Sequence, residues 1–178
     1  MDWTLWNSLP MDGALAQKLV DGLKAAGINF ITYLPETRLS EILPILHADD
    51  SFTTVAVSSE AEGFTIAAGA SLGGKQAALY TEGTGVYVSC YNLLTLGKRF
   101  GVPVLLLVSN AGAFEDTRNS FIYALPGTTM IPFLESMGIQ YRVIEDGVRL
   151  EEKIEQAVRM MHALKLPVAL LVTGEFTV

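Results

Sequence analysis

Six short apolar runs alternate with helical segments along the chain, and this alternation restricts the fold more than any other feature of the sequence. We expect strands at 28–34, 52–58, 76–81, 102–109, 140–144 and 166–174, and one of them, "VPVLLLVS" at 102–109, is almost entirely apolar. Strands without a polar face are typical of parallel sheets that helices cover on both sides. The sequence therefore predicts an α/β fold with three layers, in which a doubly wound parallel sheet has six strands.

Helical periodicity fills the segments between the strands. Helices are predicted at 11–27, 37–48, 60–72, 86–101, 128–138 and 150–165. Pro44 is expected to end or bend the second helix, because proline interrupts the hydrogen-bond ladder. Residues 110–126 are predicted to form a loop of about fifteen residues, which is long for a compact domain and therefore a candidate for function. No repeat or linker interrupts the pattern, so we expect a single domain over residues 1–178.

Composition argues against several classes of protein. The net charge is -7, and a nucleic-acid-binding protein would need a basic patch instead. No apolar run approaches the ~20 residues that span a bilayer, so we expect no membrane insertion. The single cysteine, Cys90, is typical of a reducing compartment, and we expect a cytoplasmic protein. His47 and His162 lie late in amphipathic helices, where they are more typical of the surface than of a metal site, and no metal ligands are predicted in this chain.

Two glutamates open the third predicted helix, which otherwise consists almost entirely of small and apolar residues. Ser59 and Glu62 have the S-x-x-E spacing of a capping box, which gives Glu62 a structural role. Glu60 has two possible explanations. The helix dipole favours a carboxylate in the first turn, and the same carboxylate could instead belong to a chemical site.

Small residues on the same side of this helix favour the second explanation. Gly63, Ala67 and Ala70 follow Glu60 at helical spacing, and such a face allows another backbone or a flat ligand to approach closely. We therefore expect Glu60 to lie at a crowded, dry contact, where desolvation favours the protonated form of a carboxyl group.

The segment "TEGTG" (81–85) follows a predicted strand and precedes a predicted helix. Its glycines permit positive φ angles and close approach of a ligand. It is not a Walker loop, because no Lys-Ser/Thr pair follows the glycines, and the acidic Glu82 would repel a phosphate. The residues alone leave a ligand-binding turn and a plain tight turn equally open.

Taken in order, these motifs resemble the pyrimidine-binding domain of thiamine-diphosphate-dependent enzymes. "EAEGFTIAAGASLGGK" is similar to the pattern E-x-x-[AG]-x-x-x-A-x-G, with Glu60 in the glutamate position, and "TEGTG" is similar to the T-x-G-P-G turn, with Thr84 in place of proline. "YLPETRL", "NLLTL" and "VPVLLLVS" extend the likeness to the alpha chain of two-chain sulfopyruvate and phosphonopyruvate decarboxylases. The likeness covers a core of about 12–175.

The resemblance implies roles for the residues at the predicted strand ends. Glu60 would be the catalytic residue, since the family's glutamate hydrogen-bonds N1′ of the aminopyrimidine ring of thiamine diphosphate and promotes its imino tautomer. The same cofactor would be bound by Pro35, Glu82, Gly83 and Thr84. The implied reaction is decarboxylation of a small 2-oxo acid. A carboligase subunit similar to acyloin or acetolactate synthases, and a non-catalytic interaction module of the same fold, remain alternatives.

Two further residues are candidates for substrate binding, Asn110 and Arg118. The sulfo- and phosphonopyruvate enzymes tend to have an arginine after the central strand, where this chain has Ala111. A dianionic substrate tail would lose a bidentate partner at that position. Arg118, in the following loop, is the residue that could replace it.

The resemblance also implies a partner chain. The family holds the diphosphate and Mg2+ in a second domain with a Gly-Asp-Gly segment and a downstream Asn, whereas this chain has only "EDG" at 145–147. We therefore expect a beta subunit that binds the diphosphate and Mg2+, in a hetero-oligomer with at least two copies of each chain. The apolar surplus of the sequence and the helix predicted at 86–101, which is apolar around most of its circumference, agree with a large interface.

Overall fold

The computed structural model describes residues 11–116 and 121–177, and six strands within these ranges form one sheet. The strands are β1 (Phe30–Tyr33), β2 (Thr53–Ala56), β3 (Ala77–Glu82), β4 (Leu105–Ser109), β5 (Gln140–Ile144) and β6 (Val168–Val172). They lie in the order β2-β1-β3-β4-β6-β5, and all neighbouring strands are parallel. The predicted fold class, a doubly wound α/β sheet of six parallel strands, is confirmed.

Helices cover both faces of the sheet. They are α1 (Gly13–Ala25), α2 (Ile42–Ala48), α3 (Glu60–Leu72), α4 (Gly83–Val88), α5 (Cys90–Asn92), α6 (Phe121–Met137) and α7 (Leu150–Leu164), with a π-helix, Leu93–Arg99, directly after α5 and a 3-10 helix, Gly174–Thr177, after β6. Side chains of α1, α2 and α7 join one hydrophobic cluster. Those of α3, α4, the π-helix and α6 join the other.

Strand β4 lies between the two clusters and contributes to both. Leu105 and Leu107 pack into the cluster under α1 and α7, while Leu106 and Val108 pack into the cluster under α3 and α6. Each of these side chains is buried, which stabilises the fold by about 1.5–3 kcal/mol for each one. Burial on both faces explains why this strand has no polar side.

Helix α2 differs from its prediction in where it begins. It starts at Ile42, rather than at residue 37, and continues to Ala48. Pro44 is its third residue and so lies in the first turn, where a backbone N–H has no acceptor within the helix. The prediction that Pro44 ends the helix was therefore wrong.

Helix α6 also begins earlier than predicted, and it shortens the loop that precedes it. The predicted loop 110–126 ends where α6 starts at Phe121, and α6 includes both Pro126 and Pro132. The helix packs closely on the preceding loop, since a Cβ atom on Gly127 would overlap the backbone of Gly112. The helix predicted at 86–101 begins instead at Gly83 and passes from α4 through α5 into the π-helix.

Within the part of the chain that the structure describes, none of the helices combines the length and the apolarity that a membrane crossing requires.

Candidate active site

The predicted site residues meet at one edge of the sheet. The chain runs from β1 outward to β2 and then returns to the other side of β1 to form β3, so the direction of winding changes between β1 and β3. Ligands of open α/β sheets bind beyond the carboxyl ends of the strands at such a point. Pro35 follows β1, Glu82 ends β3 and Asn110 follows β4, so all three lie at this edge.

Glu60 is the first residue of α3, and its side chain lies against the first turn of α4. A Cβ atom built on Gly85 would be 2.9 Å from Cδ of Glu60 and would overlap Cγ of Glu60 and Oγ1 of Thr81. Only glycine leaves room for the Glu60 side chain at that position. Gly85 of "TEGTG" therefore does more than form a turn, because it allows the Glu60 side chain to pack against this segment.

The carboxylate that caps α3 is Glu62, although its partner is not the predicted one. Ser59 is the N-cap residue in extended backbone, but its hydroxyl makes no capping hydrogen bond. Oε2 of Glu62 accepts instead from the amide of Ser58, at 3.0 Å, and from its hydroxyl, at 2.9 Å. These hydrogen bonds, the amide first, lower the pKa of Glu62. The predicted capping role of Glu62 holds, whereas the predicted capping by Ser59 was wrong.

Glu82 ends β3 and is the N-cap residue of α4. Its Oε1 atom is buried and has no hydrogen-bond partner among the described residues. Burial raises the pKa of Glu82, and the carboxylates of Glu36 and Glu60 raise it further, while Arg38 opposes them.

The other two residues of the predicted cofactor turn differ in exposure. Gly83 is buried, and a Cβ atom there would be 3.2 Å from Cε of Met130. Thr84 is exposed at the start of α4.

Glu36 organises the loop that follows β1. Its Oε2 accepts from the amide of Arg38 at 2.6 Å, and its Oε1 accepts from the amide of Leu39 at 2.7 Å. The hydroxyl of Tyr80, in β3, donates to the same Oε1 atom. Burial and the Glu36 carboxylate raise the pKa of Tyr80 strongly. Sequence reasoning missed this residue, although a glutamate directly after a buried strand in "LPET" is a usable signal.

Arg38 connects that loop to the loop after β4. Its Nη1 atom lies 3.5 Å from Oδ1 of Asp116, and the two side chains are only 5% and 0% exposed. Oδ2 of Asp116 accepts from the amide of Gly112 at 2.6 Å. The guanidinium carbon of Arg38 is 5.1 Å from the ring centroid of Tyr123 in α6. A buried ion pair thus holds the segment that contains Asn110 and Ala111, and no local sequence pattern pairs Arg38 with Asp116.

The two candidate substrate residues have different outcomes. Asn110 is buried, and its backbone N–H donates to the carbonyl of Val172 at 2.8 Å. Its side-chain Oδ1 atom has no hydrogen-bond partner among the described residues. Ala111 beside it is also buried. Arg118 lies outside the described residues. Among residues 11–116 and 121–177, no group of three or more His, Cys, Asp or Glu side chains is arranged to hold a metal ion.

Comparison with known proteins defines the class to which this fold and site belong. Residues 14–122 match the profile of the family described as "Thiamine pyrophosphate enzyme, N-terminal TPP binding domain". The match covers more than half of the chain, and the chain belongs to this family. The predicted resemblance is confirmed.

Individual relatives narrow the comparison. The chain is 30% identical over 165 residues to the sulfopyruvate decarboxylase subunit alpha of Methanocaldococcus jannaschii, which covers 90% of this chain and 93% of the relative. The sulfopyruvate decarboxylase of Methanosarcina acetivorans is 24% identical over 134 residues, which are 75% of this chain but 34% of that protein. Among solved structures, a 2-oxoglutarate:ferredoxin oxidoreductase from Magnetococcus marinus has a similar fold, with a TM-score of 0.69 and 16% identity over 96% of this chain and 30% of that one.

Proposed function

We propose that this chain is the alpha subunit of a two-chain, thiamine-diphosphate-dependent decarboxylase that acts on a small 2-oxo acid in the cytoplasm. The relative that is covered almost completely, at 93% of its length, is named as such a subunit. The observation that supports the proposal most is the position of Glu60 against Gly85, at the edge where the winding of the sheet changes. The relatives' names favour decarboxylation over carboligation.

The chemistry of the site fits the aminopyrimidine half of the cofactor. An aminopyrimidine has ring nitrogens that accept hydrogen bonds and an amino group that donates them. Glu60 and Glu82 offer carboxyl groups, one of them with an unpartnered oxygen, and Thr84 offers an exposed hydroxyl. Thiamine diphosphate, when bound, supplies the electron sink for loss of CO2 from a 2-oxo acid.

We assign each of the candidate site residues a role toward the cofactor or the substrate. Glu60 holds a proton at N1′ of the pyrimidine ring, which tunes the tautomer of the cofactor. Pro35, Glu82, Gly83 and Thr84 form the surface against which the ring lies. Asn110 is proposed to face the substrate, and Arg118 remains a candidate for its anionic tail.

The diphosphate and Mg2+ are proposed to bind to a beta subunit. This chain matches 34% of the Methanosarcina acetivorans enzyme, which leaves most of that protein for a second domain. Large apolar side chains are exposed at Val88, Tyr91 and Leu94, which belong to α4, α5 and the π-helix. They are three residues apart, so they lie on one side of this helical segment. Asn92, between them, donates to the carbonyl of Ala61 in α3 at 2.8 Å, so this segment packs against the helix that begins at Glu60. We propose a hetero-oligomer with at least two copies of each chain.

Substitution of the two glutamates of α3 tests the proposal. In the complex with the beta subunit, Glu60→Gln is expected to lower turnover at least a hundredfold, which is roughly 2.7 kcal/mol of barrier. Its melting temperature should stay near that of the unmodified chain, since Glu62 is the residue that caps α3. Glu62→Gln, the matched control in the same helical turn, should lower the melting temperature and leave turnover unchanged. Sulfopyruvate and pyruvate are suitable test substrates.

The same pair of variants separates the enzyme from a non-catalytic interaction module. If Glu60 is only a helix-end charge, Glu60→Gln lowers the melting temperature and has no specific effect on catalysis. Near-normal turnover by Glu60→Gln in the complex would refute the assignment.

A further inference from the structure

The carboxyl group of Glu82 is held in surroundings that disfavour a negative charge. Its Oε1 atom is buried and has no hydrogen-bond partner among the described residues. A carboxylate that is ionised away from water normally requires a cation or several donors. Glu36, in contrast, accepts from two backbone amides and from the hydroxyl of Tyr80, so its oxygens have the donors that Oε1 of Glu82 lacks.

The neighbours of Glu82 add to this effect. Glu36, in the loop after β1, and Glu60, at the start of α3, place negative charge close to it. Arg38 is the opposing positive charge, but its guanidinium also pairs with the buried Asp116.

The tyrosines that share these surroundings respond in the same way. Burial and the nearby carboxylates raise the pKa of Tyr80 in β3 and of Tyr123 in α6, and Glu82 is one of the contributing charges for both. Both phenols therefore stay neutral donors and do not compensate for a charge on Glu82.

We propose that Glu82 holds its proton more tightly than an exposed glutamate does and, while protonated, acts as an uncharged positioning residue beside Glu60. An anionic 2-oxo acid then meets one negative charge fewer at this edge, and the proton on Glu82 is available to an acceptor oxygen. Ionisation of Glu82 would repel the substrate carboxylate. Glu82 would thus determine how well the site admits an anion. This last step depends on the proposed function, whereas the protonation of Glu82 does not.

Thermal unfolding of the full chain without its partner tests the protonation. The folded chain binds the Glu82 proton more tightly than the unfolded chain does, because the pKa of Glu82 is raised from 4.5. The contribution of Glu82 to stability therefore falls as pH rises above that value. Glu82→Gln keeps the shape of the protonated acid without its ionisation. It is expected to have the higher melting temperature, by at least about 2 °C near pH 8, with a difference that disappears toward pH 4.5.

Glu62→Gln is the matched control, because folding lowers the pKa of Glu62 whereas it raises the pKa of Glu82. Hydrogen bonds from Ser58 lower the pKa of Glu62, so ionised Glu62 stabilises the fold above its unfolded pKa. This variant should melt below the unmodified chain at neutral pH and approach it in acid. If Glu82→Gln has no higher melting temperature at alkaline pH, or a difference that does not change with pH, the proposed protonation is wrong. Carboxyl 13C titration of the unmodified chain gives the same answer if Glu82→Gln does not fold.

Steady-state kinetics of the complex test the consequence for the substrate. With pyruvate, KM of the unmodified complex is expected to rise as Glu82 ionises, while KM of Glu82→Gln stays level over the same pH range. If KM changes with pH in the same way in the unmodified complex and in Glu82→Gln, the proposed effect of Glu82 on substrate binding is wrong. A complex that has no thiamine-dependent activity, together with the expected melting curves, would contradict the proposed function and leave the protonation of Glu82 supported.

Discussion

Glu60 and Glu62 are two residues apart, yet the structure separates their roles. Glu62 accepts two hydrogen bonds from Ser58, while Glu60 lies over Gly85 at the edge of the sheet. The sequence predicted this division because S-x-x-E spacing assigned one acid to the cap. It could not identify Ser58 as the partner, because both serines precede the helix and only backbone geometry selects between them.

The network around Arg38 was beyond prediction from the sequence. Glu36 and Arg38 are visible in "LPETRL", but their partners Tyr80 and Asp116 come from other segments of the chain. Charged side chains that are almost fully buried are recognised only when the fold brings their counter-ions together.

The Arg38–Asp116 ion pair gives a prediction for stability. Arg38→Gln is expected to lower the free energy of unfolding by about 3 kcal/mol, because a buried carboxylate loses its guanidinium partner. Arg159→Gln is the control, since Arg159 pairs with Glu155 at the surface, and its effect should stay within about 0.5 kcal/mol. Urea unfolding of both variants measures the difference. Equal effects would mean that the buried pair contributes no more than an exposed one.

At the scale of elements, strands were predicted better than helix ends. Apolar runs bounded by turns located all six strands, and β5 begins and ends where it was predicted, at Gln140–Ile144. Prolines misled the helix boundaries, because Pro44 lies in a first turn and Pro126 lies within α6. Whether a proline ends a helix depends on its position in that helix and on packing, neither of which a local pattern contains.

The contact between α3 and α4 depends on one glycine, which gives a second prediction. Gly85→Ala should displace the Glu60 side chain, because the added Cβ would overlap it, and should lower turnover of the complex at least about tenfold. Gly69→Ala is the control on α3, where a Cβ atom would meet nothing within 4 Å. That change should preserve turnover and stabilise the chain by about 0.5–1 kcal/mol. Full activity of Gly85→Ala would show that Glu60 does not need its observed position.

At the scale of the whole molecule, the account requires a second chain. Glu60 and Glu82 lie close together at the carboxyl ends of the strands, and Val88, Tyr91 and Leu94 are exposed in the segment that follows β3. The family match and the alpha-subunit relative support this arrangement. The order of elements and the cofactor class were accessible from the sequence, whereas the substrate tail was not, because Ala111 has no group that pairs with a charged tail.

Measuring cofactor binding by the separate chains and by their complex tests most directly whether a second chain is required. Thiamine diphosphate with Mg2+ is titrated calorimetrically into this chain, into the proposed beta subunit, and into the two combined. We predict saturable binding by the complex and little or no binding by this chain alone. Full binding of the cofactor by this chain alone, with no association between it and the beta subunit, would contradict the account.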